Sequence, residues 1–301
     1  MYRQQGFGNI IIIAVIITVL TSALAIVAWK NIGPGKHSSD QVKQTTTPSV
    51  PSTPSSDIAP IEPTNLMANT KSDSSSIWAG YVASGKVFNE AEGRVKVPII
   101  TCNGKQQTFG AWVGFDGWGG LQSVEQTGVT ATCDNASAYV KAPPTNGVYY
   151  YAWSAMHGAG SYKTYDFAVR PDDIIHYKIS YADGVYTMTV KNETTGQSGT
   201  NIQKCIIDQT ARQSTGRTDC PRMYAEWIVE RPGSNQMADF GSVVLYDNTA
   251  TDSDGNKTYI EGFTNSRVDM IQNKNMLANT FTLAGRGAFT VAWTNSGIPG
   301  E

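Results

Sequence analysis

The stretch Tyr224-Ala225-Glu226-Trp227-Ile228-Val229-Glu230, followed by Arg231-Pro232-Gly233, reads as a β-strand. Aromatic and β-branched residues dominate it, and the Pro-Gly pair closes it. Alternation along a strand puts Glu226, Ile228 and Glu230 on one face and Ala225, Trp227 and Val229 on the other. Two carboxylates therefore line one side of an otherwise apolar strand. A carboxylate among apolar and aromatic groups is costly unless it is paired or used, so Glu226 and Glu230 are the first candidates for chemistry.

On either side of this stretch, short apolar segments alternate with turn signals. Strands are expected at 85–97, 108–115, 124–133, 148–156, 174–181, 185–191, 223–229, 242–246, 280–283 and 288–293. The clearest hairpin joins 174–181 to 185–191 through Ala182-Asp183-Gly184, because Asp-Gly supplies the positive φ angles of a tight turn. Only Ser266 to Asn275 has a local helical pattern. The fold class is all-β, an antiparallel sandwich or barrel in a domain spanning 76–301.

Composition agrees with an exported β protein. The 301 residues are 40% hydrophobic but only 16% charged, with 29 glycines and 10% aromatics, so the surface must be rich in uncharged polar groups. A net charge of −2 gives no electrostatic footprint for nucleic acid. The four cysteines, Cys102, Cys133, Cys205 and Cys220, show no CxxC spacing and no histidine cluster, which points to two disulfides rather than a metal site. Pairing neighbours in sequence is simplest, although four cysteines allow three connectivities.

Residues 1–30 contain an almost unbroken apolar run from Asn9 to Trp29. About 20 apolar residues cross a bilayer, so this is expected to be a membrane anchor, with a cleaved signal peptide ending near Ala23-Leu24-Ala25 as the rival. Residues 31–75 are rich in Ser, Thr, Pro, Gln and Lys and form a linker or propeptide. The expected location is the cell surface, held by one span, or the medium.

Nucleophile machinery is scarce. The three histidines are His37 in the linker, His176 inside a strand and His157 beside glycines, and no GxSxG, HExxH or Walker loop occurs. Carboxylates and side-chain amides remain. On composition alone the domain is either a carbohydrate-active protein or a binding module, and Glu226 on a solvated strand face is the bland alternative.

Several segments together resemble one family. Ser76-Ile77-Trp78-Ala79-Gly80-Tyr81 is similar to S-x-W-A/G-G-Y, and Ala111-Trp112-Val113-Gly114-Phe115-Asp116-Gly117 to A-W-V-G-I-D-G. Gln126-Thr127-Gly128 resembles the end of L-Q-T-G, Tyr151-Ala152-Trp153 a strand bearing a cleft tryptophan, and Asn192-Glu193-Thr194-Thr195-Gly196 the N-x-T-T-G turn. Ala225 to Glu230 matches A-E-W/F-I-V/I-E almost letter for letter. In this order, over residues 76 to 230, these segments resemble the glutamic peptidases, the eqolisins.

The resemblance implies an antiparallel sandwich of two sheets, concanavalin-like, with a substrate cleft on one face. It implies a monomeric endopeptidase acting on polypeptides in acid, without cofactor or metal. Glu226 and Gln126 are its implied catalytic pair: a carboxylate can take a proton from an attacking water, and an amide N–H can stabilise the oxyanion. Trp78, Trp112 and Trp153 are implied cleft walls, Asp116 a hydrogen-bond acceptor near the site, and Glu230 either a tuner of Glu226 or a partner of Arg222 or Arg231. The chain departs from the pattern at Glu125, where the family has leucine, and at Ala155 and Trp118, where it has acidic residues. Fewer acidic groups predict a pH profile that is broader or moved upward. The alternative to an enzyme is a lectin-like binding module, which would present its tryptophans exposed in a flat row.

Overall fold

The computed structural model describes residues 70–297 except 105, 122, 135, 137–138, 141, 158–160, 206–219 and 234. The expected anchor and all of the linker up to residue 69 lie outside the described residues, as does His37. Among the described residues no helix is long and apolar enough to cross a membrane.

Strands account for nearly all regular structure. In chain order they are β1 (Thr70–Ser75), β2 (Trp78–Ser84), β3 (Phe88–Lys96), β4 (Gln107–Phe115), β5 (Val124–Thr132), β6 (Tyr149–His157), β7 (Ser161–Thr164), β8 (Ile174–Ala182) and β9 (Val185–Asn192). Then follow β10 (Ser198–Lys204), β11 (Ala225–Glu230), β12 (Gln236–Met237), β13 (Ser242–Asp252), β14 (Lys257–Tyr259), β15 (Thr264–Gln272), β16 (Asn275–Thr280) and β17 (Phe289–Trp293). A short 3-10 turn at Ile260–Gly262 is the only helical element among the described residues.

The hydrogen-bonded ladder is continuous. One run goes β7-β6-β5-β4-β11-β2-β15, and from β15 it continues through β16, β17, β13, β3, β8 and β9 to β10. β4 and β5 of the first run contact β8 of the second, and β5 also contacts β9, around one apolar core. The odd-numbered residues of β11, Ala225, Trp227 and Val229, enter that core with Ala111 and Val113 of β4 and Ala79 and Tyr81 of β2. The even-numbered residues face the other way, as strand alternation requires.

Several expectations hold in detail. The β8–β9 hairpin turns at Asp183 (φ 50°) and Gly184 (φ 78°), the paired positive angles of its tight turn. Disulfides link Cys102 to Cys133 and Cys205 to Cys220, with Cα atoms 5.8 and 6.1 Å apart.

Others need correction. The stretch read as helical, Ser266 to Asn275, is mostly strand: Val268, Met270 and Gln272 are buried in alternation while Arg267 and Asp269 share the opposite face. Good helix formers there yield to the period-two burial that tertiary packing imposes. β1 falls inside the stretch assigned to the linker, and it runs parallel to β15, as β12 does to β4, so the sheet is antiparallel with two parallel exceptions. β2, β7, β10, β12 and β14 have no counterpart among the expected strands, and the strand expected at 280–283 lies instead at Asn275–Thr280, with 281–283 outside it.

Candidate active site

β11 lies between β2 and β4, and its register builds the site. Glu226 stands opposite Val82 on one side and Gly114 on the other, and Gly114 stands opposite Gln126 of β5, which stands opposite Ala155 of β6. Glu226 and Gln126 therefore share a face and a row, with one strand between them, their backbones about 10 Å apart. Gly114 contributes no side chain, and the edge of the Trp112 indole reaches in where its Cβ would stand. The adjacent rows are Gly80, Ile228, Trp112, Gly128, Trp153 and then Trp78, Glu230, Gly110, Thr130, Tyr151. Glycines next to tryptophans make room for the indoles: a Cβ on Gly128 would lie 2.6 Å from Trp112 Cβ.

The tryptophans and Val82, Val124, Ala155 and Ile228 form a second, smaller apolar cluster on this face. Trp112 is fully buried, with Trp78 edge-on at 5.2 Å. Both indoles donate to Glu230, Trp78 Nε1 to Oε1 at 3.2 Å and Trp112 Nε1 to Oε2 at 2.8 Å. Glu230 is thus an anchor for two tryptophans. Arg222, offered as its partner, instead reaches the Phe88 carbonyl, Asn89 and the Tyr181 ring, its guanidinium 3.7 Å from that ring's centroid. Trp153 donates to Thr130 Oγ1 at 2.8 Å and stacks on Tyr162 at 5.8 Å.

A pocket of about 740 Å³ opens on this face, lined among others by Trp78, Gln126, Thr130, Tyr151, Trp153, Tyr162 and Glu230. Trp78 and Trp153 are among the residues that line it. Trp112 lies beneath the surface as floor and does not line the pocket. His157 sits exposed at the rim, while His176 Nε2 lies 3.2 Å from Glu92 Oε2, far from this face. The tryptophans form no exposed flat row, since Trp78, Trp112 and Trp153 are 8%, 0% and 4% exposed.

Glu226 is completely buried and neither carboxylate oxygen has a hydrogen-bond partner. Burial raises its pKa well above the ordinary carboxylate value; the negative charges of Asp116, Glu125 and Glu230 add to this and the nearby Trp118 amide opposes it. Gln126 is half buried and its Oε1 is also without a partner. Two unpartnered polar groups in one row of an apolar face are what an absent reactant would satisfy. Burial likewise raises Glu230, against the pull of its two indole donors.

Asp116 is buried and accepts from three backbone amides in the segment entering β11: Arg222 at 2.7 Å, Met223 at 2.8 Å and Tyr224 at 3.2 Å. It fixes the start of the strand that carries Glu226. Desolvation pushes its pKa up to about 6 despite those bonds. Glu125 points to the opposite side of β5 from Gln126, buried, with Oε2 unpartnered and its pKa raised well above normal by desolvation and then by Asp116.

Sequence reading missed Gly114, whose signal was a glycine in the interior of a strand, where a close approach is expected. It also missed Tyr151 and Tyr162, whose part in the pocket depends on the β5–β6–β7 register.

The Peptidase A4 family matches residues 76–293 of this chain. Aspergillopepsin-2 of Aspergillus niger is 27% identical over 212 residues, covering 62% of this chain and 68% of its own. Among solved structures, scytalido-glutamic peptidase with a transition state analog inhibitor is similar at a TM-score of 0.57 and 19% identity, over 73% of this chain and 98% of that one. SCP-B, a member of the eqolisin family solved with a tripeptide, gives 0.54 and 18% over the same shares. At those identities the structural likeness establishes a shared fold. The sequence match goes further: this chain belongs to the Peptidase A4 family, the glutamic peptidases, and is a peptide hydrolase.

Proposed function

We propose that the chain is an extracellular endopeptidase in which Glu226 activates water and Gln126 stabilises the oxyanion. The observation that carries this is the row Glu226–Gly114–Gln126, two unpartnered polar groups on either side of a glycine. An extended peptide laid across the row puts its scissile carbonyl over Gly114. Ionised Glu226 takes a proton from a water as its oxygen bonds to the carbonyl carbon, and Gln126 Nε2–H donates to the oxygen that becomes negative. Collapse of the tetrahedral species breaks the C–N bond, and Glu226 returns the proton to the departing amine. Asp116 and Glu230 act on position: one fixes the entry to β11, the other holds Trp78 and Trp112.

Burial makes Glu226 a stronger base than an ordinary carboxylate but delays its ionisation, so the acid limb of activity is expected above the usual carboxylate range of about 4. The working range therefore lies higher than that of an ordinary carboxylate base, in keeping with the upward shift expected from the sequence. The architecture is read as a two-layer, concanavalin-like sandwich with the pocket on one outer face. Export through the apolar segment 1–30, retained as an anchor or removed, agrees with the two disulfides.

The test is proteolysis of a denatured protein by the domain beginning at residue 70, from strongly acidic to neutral pH, beside Glu226→Gln and Gln126→Ala. Both variants should fold and lose activity, Gln126→Ala by about 10² to 10³-fold as for other oxyanion donors. Full activity in either would refute the pair.

A further inference from the structure

We propose that Trp118 controls access to Glu226, and that it must leave its seat on Trp78 before a peptide can reach the carboxylate. The proposal rests on the reading of Glu226 as the base. Glu226 is fully buried and does not line the pocket, although Gln126 in the same row does. Val82 and Gly114 lie beside it in the sheet, and the Trp118 backbone amide lies close enough to act on its carboxylate, so the turn after β4 contributes to its cover.

In that turn Asp116, Gly117, Gly119 and Gly120 all have positive φ, at 62°, 92°, 65° and 88°, and fold the chain back over the face. Gly117 is wedged between side chains of two strands: a Cβ there would lie 2.5 Å from Val124 Cγ2 on β5 and 2.8 Å from Trp78 Cη2 on β2. β4 and β11 lie between those strands, so the turn spans the part of the face that carries Glu226. Gly119 abuts the Tyr224 side chain at the entry to β11. Asp116 is pinned by its three amide donors, so movement is confined to the residues after it.

Trp118 closes the arrangement. Its half-buried ring stacks on Trp78 with centroids 6.2 Å apart and planes 23° apart. Trp78 and Ile77 line both the large pocket and a second hollow of about 440 Å³ on the far side, which Trp118 itself lines. Trp78 therefore separates the two hollows, and Trp118, stacked on it, closes the smaller one on the side of the turn. Moving Trp118 and its turn aside opens that hollow toward Glu226, giving an extended peptide a way to the carboxylate. A substrate side chain laid on Trp78 would replace the contact that Trp118 gives up.

The experiment labels carboxyl groups with a water-soluble carbodiimide and an amine, and follows Glu226 by peptide mass spectrometry in the native domain, Trp118→Ala and Trp118→Phe. A group reached only through a minor open state becomes exposed in the ground state once its cover is removed, so Trp118→Ala should label about tenfold faster or more. Trp118→Phe, which keeps a ring on Trp78, should label close to the native rate. Trp118→Leu carries the same test should the alanine variant not fold, labelling faster than Trp118→Phe. Equal labelling in a folded Trp118→Ala or Trp118→Leu and the native domain would overturn the proposal. The readout does not depend on peptide cleavage, so it separates failure of the access role from failure of the catalytic reading.

Discussion

Glu226 and Gln126 share one cross-strand row with only Gly114 between them. The glycine between them is as specific a feature as the two side chains. A Cβ on Gly114 would stand 2.7 Å from the Glu125 carbonyl, 3.0 Å from Trp112 Cζ3 and 3.2 Å from Gln126 Cβ. Gly114→Ala should therefore displace Gln126 and lower kcat/KM by about 10²-fold, the scale of a 1 Å misplacement. Overpacking should cost about 1–3 kcal/mol of stability, leaving the domain folded. Steady-state kinetics and thermal unfolding of the variant check both statements, and unchanged kinetics would remove the glycine from the mechanism.

Glu230 accepts from two indoles, one at each oxygen. Glu230→Gln replaces one acceptor with an amide donor, facing Trp78 or Trp112 with a group that cannot accept. The loss should be about 1–3 kcal/mol, read as a lower Tm. KM should rise as the Trp78 wall loosens, while the acid limb of kcat/KM moves little. A large shift of that limb with Tm unchanged would make Glu230 a tuner of Glu226 instead.

The buried carboxylates set a pH dependence of stability with a definite sign. Asp116, pushed up to about 6, and Glu125, raised further from its usual range, hold their protons more tightly folded than unfolded. Below the ordinary carboxylate range both are neutral in either state. As pH rises through about 4 to 6 and beyond, the unfolded chain releases protons that the folded one retains, so stability falls. Glu125→Leu removes a buried, partly unpartnered carboxylate and should raise stability near neutrality by about 1–4 kcal/mol. The gain should shrink at about pH 3, where Glu125 is protonated in both states. Calorimetry at both pH values checks it; a variant less stable at neutral pH would contradict this account.

Glu92 acts in the other direction. It faces His176 at 3.2 Å and pairs with Lys257, and the His176 hydrogen bond holds its pKa well below normal, with Lys257 and Lys178 adding to the effect. Its contribution is present above the unfolded pKa and is lost as pH falls below about 4. Glu92→Gln should lower Tm near pH 6 and lessen the loss of Tm on further acidification. An acid slope identical to that of the native domain would assign the slope to other groups.

Much of the site was legible because it is written with period two. The face assignment of Glu226, Ile228 and Glu230, and of the core residues between them, follows from alternation alone. The turn at Asp183-Gly184 was legible because it needs only local backbone chemistry. Register was not legible: nothing local sets Gly114 opposite both Glu226 and Gln126, since that depends on two ladders formed by distant segments. The partners of Glu230 were obscured for the same reason, and charged neighbours in sequence suggested arginine where the sheet supplies indoles. β15 misled because Arg267, Met270 and Gln272 suit helices in isolation. The roof over Glu226 lay beyond sequence reading because it depends on how a glycine turn packs against side chains from β2 and β5.

The parallel pairing of β1 bears on maturation. From Thr70 to Ser75 it covers the edge of β15 between Asn265 and Met270. A processing protease that cuts anywhere up to residue 69 leaves this seam whole, whereas a cut at Ser76 strips it and bares a row of backbone groups able to recruit another chain. Thr70 to Ser75, beginning six residues upstream of the first sequence motif, therefore belong with the folded sheet and not with the linker.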